Sequence, residues 1–517
     1  MLPGFLWKGA CFVMLNRLMP PVFKYDVENM EDLNRKIARW SDYDRLPKIE
    51  LRDVLVGRDA VRRLPQALQS LGVKPGTRVV TVMDGTLILR GRENLKELVL
   101  RILQDAGYRP EKLVLQGDKF GVVHADAAQV ETVKARLNDA CAVVSVGSGT
   151  VTDISKHACF LYREERGGEK KALVSLMTAN SVPAYTSRSS IITKDGVKRT
   201  WPSRTPDIVV MDLQTLMDCP LHYTVGGVGD LFPVFSAFAD WYLAECMGMA
   251  EVVDGCWRIV DDIKELLIPY MGEIAGRTSA GMEVLGKCLL VTGLTMTFAR
   301  DSVPVSGYEH VISHMLDMSA ASDGRKTGVH GQQVGEADIF SLLNLHKLIG
   351  RLDRERADKN EIRTLYPTAE EMERKVLRTF QPLDPSGKMG RECWRDYSVK
   401  LQKWTEAKPK FEAFLKNWPE HRAVLKSLLP HSALECACAL DRARHPLLFS
   451  ELDVPVTEER FRWAARNAHL MRRRFTSSDL AHFLGWYDKN WENDLISCYN
   501  NTVEAARAGR AAAEAAS

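Results

Sequence analysis

The stretch that decides the fold is Ala142-Val143-Val144-Ser145-Val146-Gly147-Ser148-Gly149-Thr150-Val151-Thr152-Asp153. Its first five residues are small or β-branched, which is typical of a buried strand, and the glycines that follow close the strand before a helix begins. Glycines at such a turn let backbone N–H groups approach a pyrophosphate at the helix N-terminus. The third glycine of the usual dinucleotide fingerprint is absent, so a plain structural turn is the alternative.

Short β-branched runs alternate with amphipathic helices on both sides of this stretch. Further strands are predicted at residues 78–83, 113–115, 173–177 and 208–211. This alternation predicts a parallel sheet with crossover helices, an α/β domain over residues 48–215.

Strand signals fade after Pro220, and long amphipathic helices take over. We predict an all-α domain over residues 216–500, in which a Trp-rich stretch near 368–445 forms an extra helical segment. Residues 1–47 are expected to be an N-terminal appendage. The alanine-rich residues 501–517 are expected to be a frayed or disordered tail.

The composition is that of a soluble globular protein with more than one core: 517 residues, 45% of them hydrophobic and 26% charged. A net charge of +3 without long like-charge blocks argues against a nucleic-acid partner and favours small molecules. The sequence contains no run of about 18 apolar residues, so we expect no membrane span. Eleven cysteines without a CxxC pair favour reduced thiols, and hence the cytoplasm.

Asp84 ends the strand predicted at residues 78–83, an earlier strand of the same sheet. An acidic side chain at that edge can accept hydrogen bonds from the ribose of an adenosine, and its charge would favour NAD over NADP. The alternative is a turn aspartate within Met83-Asp84-Gly85-Thr86.

A second constellation combines Gly226-Gly227-Val228-Gly229-Asp230 with Tyr308-Glu309-His310, His314 and His330-Gly331. His310 and His314 are four residues apart, so on a helix both rings project from one face. With an aspartate after a glycine-rich turn and a third histidine, they suggest a metal or substrate site, although a lone histidine is more often structural. One carboxylate with two imidazoles would leave coordination positions open, which is typical of a catalytic metal that acidifies an alcohol.

In their order, these motifs resemble the dehydroquinate synthase-like superfamily, and within it the sn-glycerol-1-phosphate dehydrogenase branch beside the iron-containing alcohol dehydrogenases. The resemblance covers roughly residues 48–490. Its other matching segments are residues 54–60, Thr178-Ala179-Asn180-Ser181, Gly196-Val197-Lys198-Arg199-Thr200, Pro206-Asp207 and Phe449-Ser450-Glu451-Leu452.

The resemblance implies a Rossmann-like sheet domain, an all-helical domain and a homo-oligomeric NAD- or NADP-linked dehydrogenase of a polyol or polyol phosphate. It implies one divalent metal on Asp230, His310 and His330, usually zinc, with nickel or iron as alternatives. Asp230 would also touch substrate, and His314 would bind a substrate hydroxyl or pass a proton. The implied nucleotide contacts are Gly147, Ser148, Gly149, Thr150, Val151, Thr178, Ala179, Asn180, Ser181 and Ser187.

Two features depart from the family pattern. Pro183 stands where the phosphate-dehydrogenase branch carries a substrate-binding aspartate, which leaves the substrate open. The segment near 368–445 is additional, and it either reshapes the pocket or an oligomer interface or merely adds bulk.

Two rival functions stay open. A cyclase of the dehydroquinate synthase kind would use the same sheet, NAD and metal but return the hydride and eliminate phosphate. A non-catalytic relative would keep the fold as a binding module, although its metal-ligand candidates are intact.

Overall fold

The computed structural model describes residues 22–194, 197–358 and 360–516. Its central feature is a six-stranded parallel sheet in the N-terminal part of the chain. The strands of this sheet are β1 (Asp53–Gly57), β2 (Arg78–Met83), β5 (Arg109–Val114), β6 (Ala142–Gly147), β7 (Ala172–Met177) and β10 (Ile208–Asp212). Two antiparallel hairpins accompany it: β3 (Leu89–Arg90) with β4 (Glu93–Asn94), and β8 (Ser189–Lys194) with β9 (Val197–Pro202).

Helices cover both faces of the sheet, because the β-branched strands are apolar on both sides. All six residues of β6 are buried. The apolar stripe predicted after β2 lies on a helix whose Leu95, Leu98, Val99 and Leu103 are buried. The helices that precede β10 are α1 (Met30–Ile37), α2 (Leu64–Ser70), α3 (Leu95–Asp105), α4 (Ala127–Lys134) and α5 (Gly149–Glu165). The α/β fold predicted for this part is confirmed.

The strand order is β1-β10-β7-β6-β2-β5. From β2 the chain passes outward to β5, and it then returns to β6 on the other side of β2 before continuing to β7. The order therefore reverses between β2 and β6, and ligands of open α/β sheets bind in the crevice at the carboxyl ends of such strands. The Gly147 turn follows β6 and Asp84 follows β2, so both lie at this crevice.

After β10 every described element is helical, as predicted. These helices are α6 (Leu213–Asp218), α7 (Leu221–Leu231), α8 (Ala237–Cys246), α9 (Asp254–Leu266), α10 (Met271–Ala275), α11 (Ser279–Ala299), α12 (Tyr308–Ser322), α13 (His330–Ala357), α14 (Ala369–Phe380), α15 (Lys388–Glu406), α16 (Lys408–Lys416), α17 (Trp418–Leu428), α18 (Ala433–Arg442), α19 (Glu458–Asn467), α20 (Ser477–Phe483) and α21 (Lys489–Ala516).

Both ends of the chain were predicted incorrectly where the structure describes them. Residues 22–47 are not an appendage: α1 buries Leu33 and Ile37 in the helical core, and Asp26 pairs with Lys287 of α11 at 3.1 Å. Residues 501–516 are not a disordered tail, because they continue α21 and bury Val503. Both segments carry apolar residues at helical spacing, so each forms a helix whose apolar side packs against the core.

The Trp-rich stretch forms helices α14 to α18, and its aromatic residues are buried, including Trp404, Phe411, Phe414 and Trp418. A buried ion pair links this segment to the rest of the helical domain: Lys400 on α15 lies 2.6 Å from Asp479 on α20, and both side chains are about 1% exposed. The segment is thus an integral part of the helical body.

Two stretches are long and apolar enough to cross a membrane by length and composition, α11 and residues Trp418–Arg442. The apolar window of α11 is 83% buried inside the protein, and that of the second stretch is 44% buried. Burial of this kind is typical of a core helix, and the expected lack of a membrane span stays a prediction.

Candidate metal and nucleotide site

Asp230 lies near the end of helix α7, and the glycines before it belong to that helix. The sequence analysis placed them in a turn, which is wrong. A Cβ atom at Gly229 would lie 2.0 Å from the Gly331 carbonyl oxygen, and one at Gly331 would lie 1.8 Å from that of Gly226. Helices α7 and α13 therefore approach so closely that only glycine fits, and this contact sets Asp230 beside the start of α13.

The three histidines of the predicted site come together from two helices. His310 and His314 lie one turn apart on α12, and His330 is the first residue of α13. The ring centroids of His310 and His330 are 5.3 Å apart, and His314 stacks on His330 at 5.3 Å with an interplanar angle of 18°.

Asp230, His310 and His330 each offer one ligand atom, and these atoms lie within 4.8 Å of one another. Asp230 Oδ1 is 3.3 Å from His310 Nε2 and 3.8 Å from His330 Nε2. Asp230 is 4% exposed, and among the described residues no hydrogen bond reaches its Oδ1. A buried, unsatisfied carboxylate oxygen facing two imidazole nitrogens fits a divalent cation, and the oxygen and nitrogen donors fit a catalytic site.

In both candidate imidazole ligands, Nδ1, the ring nitrogen that faces away from Asp230, lies within hydrogen-bond distance of another side chain. His310 Nδ1 lies 3.0 Å from Oε1 of the buried Glu309. His330 Nδ1 lies 3.0 Å from the Ser313 hydroxyl, which donates to Gln333 Oε1 at 2.8 Å. Burial lowers the pKa of His310, but Asp230 and Glu309 outweigh this effect and raise it overall.

A group of buried acids surrounds Glu309. The Ser236 hydroxyl lies within hydrogen-bond distance of Glu309 and of Asp338 and can donate its one proton to either. Asp240 accepts from the Tyr308 and Ser477 backbone N–H groups at 2.9 and 2.7 Å. Burial, reinforced by the charge of Glu309, raises the pKa of Asp240 to about 7 and that of Asp338 well above its usual range. Asp338 therefore favours its protonated form near neutral pH, and Asp240 titrates close to it.

The predicted nucleotide loop lies at the N-terminus of α5. Ser148 is the N-cap, but its side chain accepts no hydrogen bond there, so the first N–H groups of the helix point into the crevice without a side-chain cap. Both glycines also have a packing reason: a Cβ at Gly147 would lie 2.5 Å from Val151, and one at Gly149 would lie 2.5 Å from Val182.

Thr178, Ala179, Asn180 and Ser181 follow β7 directly and are all buried. The Asn180 side chain is 1% exposed and donates to the Met282 carbonyl of α11 at 2.9 Å, and the predicted nucleotide contacts of this segment stay a prediction. The backbone of Asn180 contacts Gly227 of α7. The segment thus joins the sheet edge to the helix that carries Asp230.

Ser187 is 1% exposed, and its hydroxyl lies 2.7 Å from that of Ser189, so it is also engaged within the protein. The turn around it is fastened to α5 by the buried Lys156, which donates to the carbonyls of Ala184 and Ser189 at 2.6 and 2.8 Å and pairs with Asp153. Ser187 thus has a structural role in this turn, and its predicted contact with the nucleotide stays a prediction.

Asp84 lies at the carboxyl end of β2, beside the Gly147 turn, as the strand pairing requires. Its carboxylate is paired with Lys96 on α3, whose ammonium group also donates to the carbonyls of Asp84 and Thr86 at 2.7 and 2.6 Å. Lys96 therefore offsets the charge of Asp84, and the expected preference for NAD stays a prediction.

Sequence reasoning assigned no role to Glu309, Ser313, Lys96 or Lys156. Glu309 and Ser313 are adjacent in sequence to the candidate histidines His310 and His314. Metal-ligating imidazoles usually donate their other ring N–H to a polar group, and this rule could have identified both residues. No local signal indicated Lys96, because it is twelve residues from Asp84.

Residues 55–220 match the family described as iron-containing alcohol dehydrogenase. The chain is 30% identical over 295 residues to a glycerol-1-phosphate dehydrogenase (NAD(P)+) of Thermofilum pendens, covering 56% of this chain and 76% of that protein. It is 27% identical over 314 residues to one of Bacillus velezensis, covering 59% and 75%.

Among solved structures, glycerol dehydrogenase from Schizosaccharomyces pombe shares the fold, with a TM-score of 0.50, 14% identity, and coverage of 87% of this chain and 92% of that one. The motifs, the fold and these relatives agree. The chain therefore belongs to the iron-containing alcohol dehydrogenase family, beside its glycerol-1-phosphate dehydrogenases.

Proposed function

We propose that this protein is a metal-dependent, NAD(P)-linked oxidoreductase that interconverts a small polyol or polyol phosphate, of the glycerol-1-phosphate type, and its ketone. The observation that carries the proposal is the convergence of Asp230, His310 and His330 on one point. The helix that bears Asp230 touches the loop after β7, which lies at the same sheet edge as the Gly147 turn. The names of the relatives supply the substrate type and the nucleotide.

Asp230, His310 and His330 would hold the ion, and its bound form would supply Lewis acidity to a substrate hydroxyl while the nicotinamide accepts a hydride. Overall, alcohol and NAD(P)+ give ketone, NAD(P)H and one proton. His314, stacked on His330, is placed to accept the hydroxyl proton or to orient that hydroxyl. The partly buried position of these rings limits water at the reacting atoms.

The nucleotide would lie across residues 147–151, with its pyrophosphate at the N-terminus of α5 and its adenosine ribose near Asp84. We assign nucleotide binding to residues 48–215 and metal and substrate binding to residues 216–500. Zinc is our first choice of metal, with nickel or iron as alternatives, because nitrogen and oxygen donors alone do not select among them.

The choice between a phosphorylated and a free polyol turns on Pro183. It begins a short turn, Pro183–Tyr185, and its ring offers no carboxylate or hydrogen-bond donor to a substrate. As the substrate we favour a three-carbon polyol phosphate that is bound by side chains other than that of residue 183. We also infer a cytoplasmic location, supported by the free cysteines of the described chain, and a homo-oligomer, which the family resemblance implies.

The experiment is an absorbance assay of nicotinamide with purified protein loaded separately with zinc, nickel or iron. Phosphorylated and free polyols of three to seven carbons, and the matching ketones, are tested with NAD and NADP. Reduction of either nucleotide by one polyol class supports the proposal. Phosphate release without net nucleotide turnover would show the cyclase reaction instead, and inactivity with every pair would favour a binding module.

The same assay on Asp230→Asn and His310→Ala tests the ligand assignment, with His346→Ala, an exposed histidine of α13, as the control. Both site variants should lose bound metal and activity together. Metal content that is unchanged in both would refute the assignment.

A further inference from the structure

Glu309 is a fully buried carboxylate in direct contact with one of the metal-ligand candidates. Its Oε1 lies 3.0 Å from His310 Nδ1 and also accepts from the Gly307 backbone N–H. Its Oε2 lies 3.4 Å from the Ser236 hydroxyl. Glu309 is 0% exposed, so these groups hold its side chain in one orientation.

This contact determines which nitrogen of His310 faces the metal position. A carboxylate only accepts, so His310 must carry its proton on Nδ1. In the neutral ring that a metal requires, the lone pair then lies on Nε2, which is the atom 3.3 Å from Asp230 Oδ1.

The second imidazole ligand is held in a different way. Ser313 donates its own proton to Gln333, so it can only accept from His330 Nδ1. His330 therefore has the same tautomer as His310, but its partner is a neutral hydroxyl. The two ligands differ by one buried negative charge.

We propose that Glu309 is a positioning residue of the metal centre, which fixes the His310 tautomer and contributes a second negative charge beside that of Asp230. The inference rests on the proposed metal site. A carboxylate behind a ligating imidazole raises its basicity and strengthens its bond to the ion. Glu309 therefore makes His310 the stronger of the two imidazole ligands and secures retention of the ion.

The test is zinc affinity of the full chain, measured by competition with a chromophoric chelator in the absence of nucleotide and substrate. Glu309→Gln keeps an oxygen acceptor for His310 and Gly307 but removes the charge. It should weaken zinc binding by roughly 10- to 100-fold. Ser313→Ala, which removes a neutral partner, should weaken it less. An affinity of Glu309→Gln within about twofold of the wild type would overturn the proposal.

Two further measurements keep the result interpretable. Nitrogen-15 spectra of histidine-labelled, zinc-loaded wild type should show His310 protonated on Nδ1 and bound through Nε2, and the reverse pattern would overturn the proposal even if Glu309→Gln does not fold. Asp230→Asn separates the two hypotheses. If it also retains zinc, the metal site itself fails; if it releases zinc while Glu309→Gln binds normally, only the role of Glu309 fails.

Discussion

Gly227 contacts the backbone of Asn180 so closely that a Cβ atom at Gly227 would lie 1.9 Å from the Asn180 carbonyl oxygen. Gly227 is three residues before Asp230, and Asn180 is three residues after the end of β7. The helix that carries Asp230 thus rests directly on the edge of the sheet. In the proposed site, the distance between the ion and the nicotinamide would depend on this contact.

Gly227→Ala should push α7 away from the sheet and impair catalysis more than folding. Overpacking of this kind typically costs about 1–3 kcal/mol of unfolding free energy, and a displacement of about 1 Å at reacting groups can cost about 100-fold in kcat/KM. Gly272→Ala is the control, because a Cβ there meets nothing within 4 Å. Denaturant unfolding and steady-state kinetics measure both. Equal kcat/KM in the two variants would contradict the prediction.

Lys96→Met should shift nucleotide preference towards NAD. The variant leaves Asp84 without its cation, and the bare carboxylate would repel a ribose phosphate while still accepting from a ribose hydroxyl. We expect the affinity for NADP to fall about tenfold relative to NAD, an effect of about 1.4 kcal/mol. Asp84→Asn should shift the ratio the opposite way. Isothermal titration with both nucleotides measures it, and an unchanged ratio in both variants would place the adenosine elsewhere.

The contribution of three buried histidines to the unfolding free energy should be lost when the pH is lowered from about 6.5 to about 4. Burial lowers the pKa of His445 to about 4 and holds those of His469 and His482 well below the usual value. The native state keeps these rings neutral while the unfolded chain takes up protons, so this contribution is full above pH 6.5 and is lost as pH falls, whereas the raised pKa values of Asp240 and Asp338 act in the opposite direction. His445 alone accounts for roughly 3 kcal/mol at the acid end.

Denaturant titrations across this range measure the slope. His445→Gln should show a shallower loss with acid than the wild type. His431→Gln, which changes a partly exposed histidine outside this buried set, should retain the wild-type slope. A wild-type slope in His445→Gln would contradict the assignment.

Lys400→Met should destabilise the protein strongly. It leaves the buried Asp479 without a counter-charge and removes the donor to the His469 and Arg474 carbonyls. Loss of one partner of a buried ion pair typically costs about 3–5 kcal/mol. Lys112→Met, which breaks the exposed 2.7 Å pair with Glu97, should cost about 1 kcal/mol or less. Thermal and denaturant unfolding compare the two, and similar losses would contradict the prediction.

The sequence by itself determined the local elements and identified the candidate ligand set. Strands such as β6 and the helices at α3 and α12 follow from apolar periodicity, which acts within a few residues. Thr457 and Thr476 cap late helices, which is also a local effect because a capping side chain reaches only the next turn. His310 and His314 share a helix face for the same local reason.

Only the tertiary structure decided how these elements meet. The glycines around Asp230 look like a turn in one dimension, and their helical role depends on Gly331, about a hundred residues away. The partners of Asp84, Asn180 and residues 22–47 likewise lie on distant segments. Side-chain pairing and close packing depend on separation in space rather than along the chain. No local pattern could therefore reveal that Lys96 forms an ion pair with Asp84, or that α1 packs against the helical core.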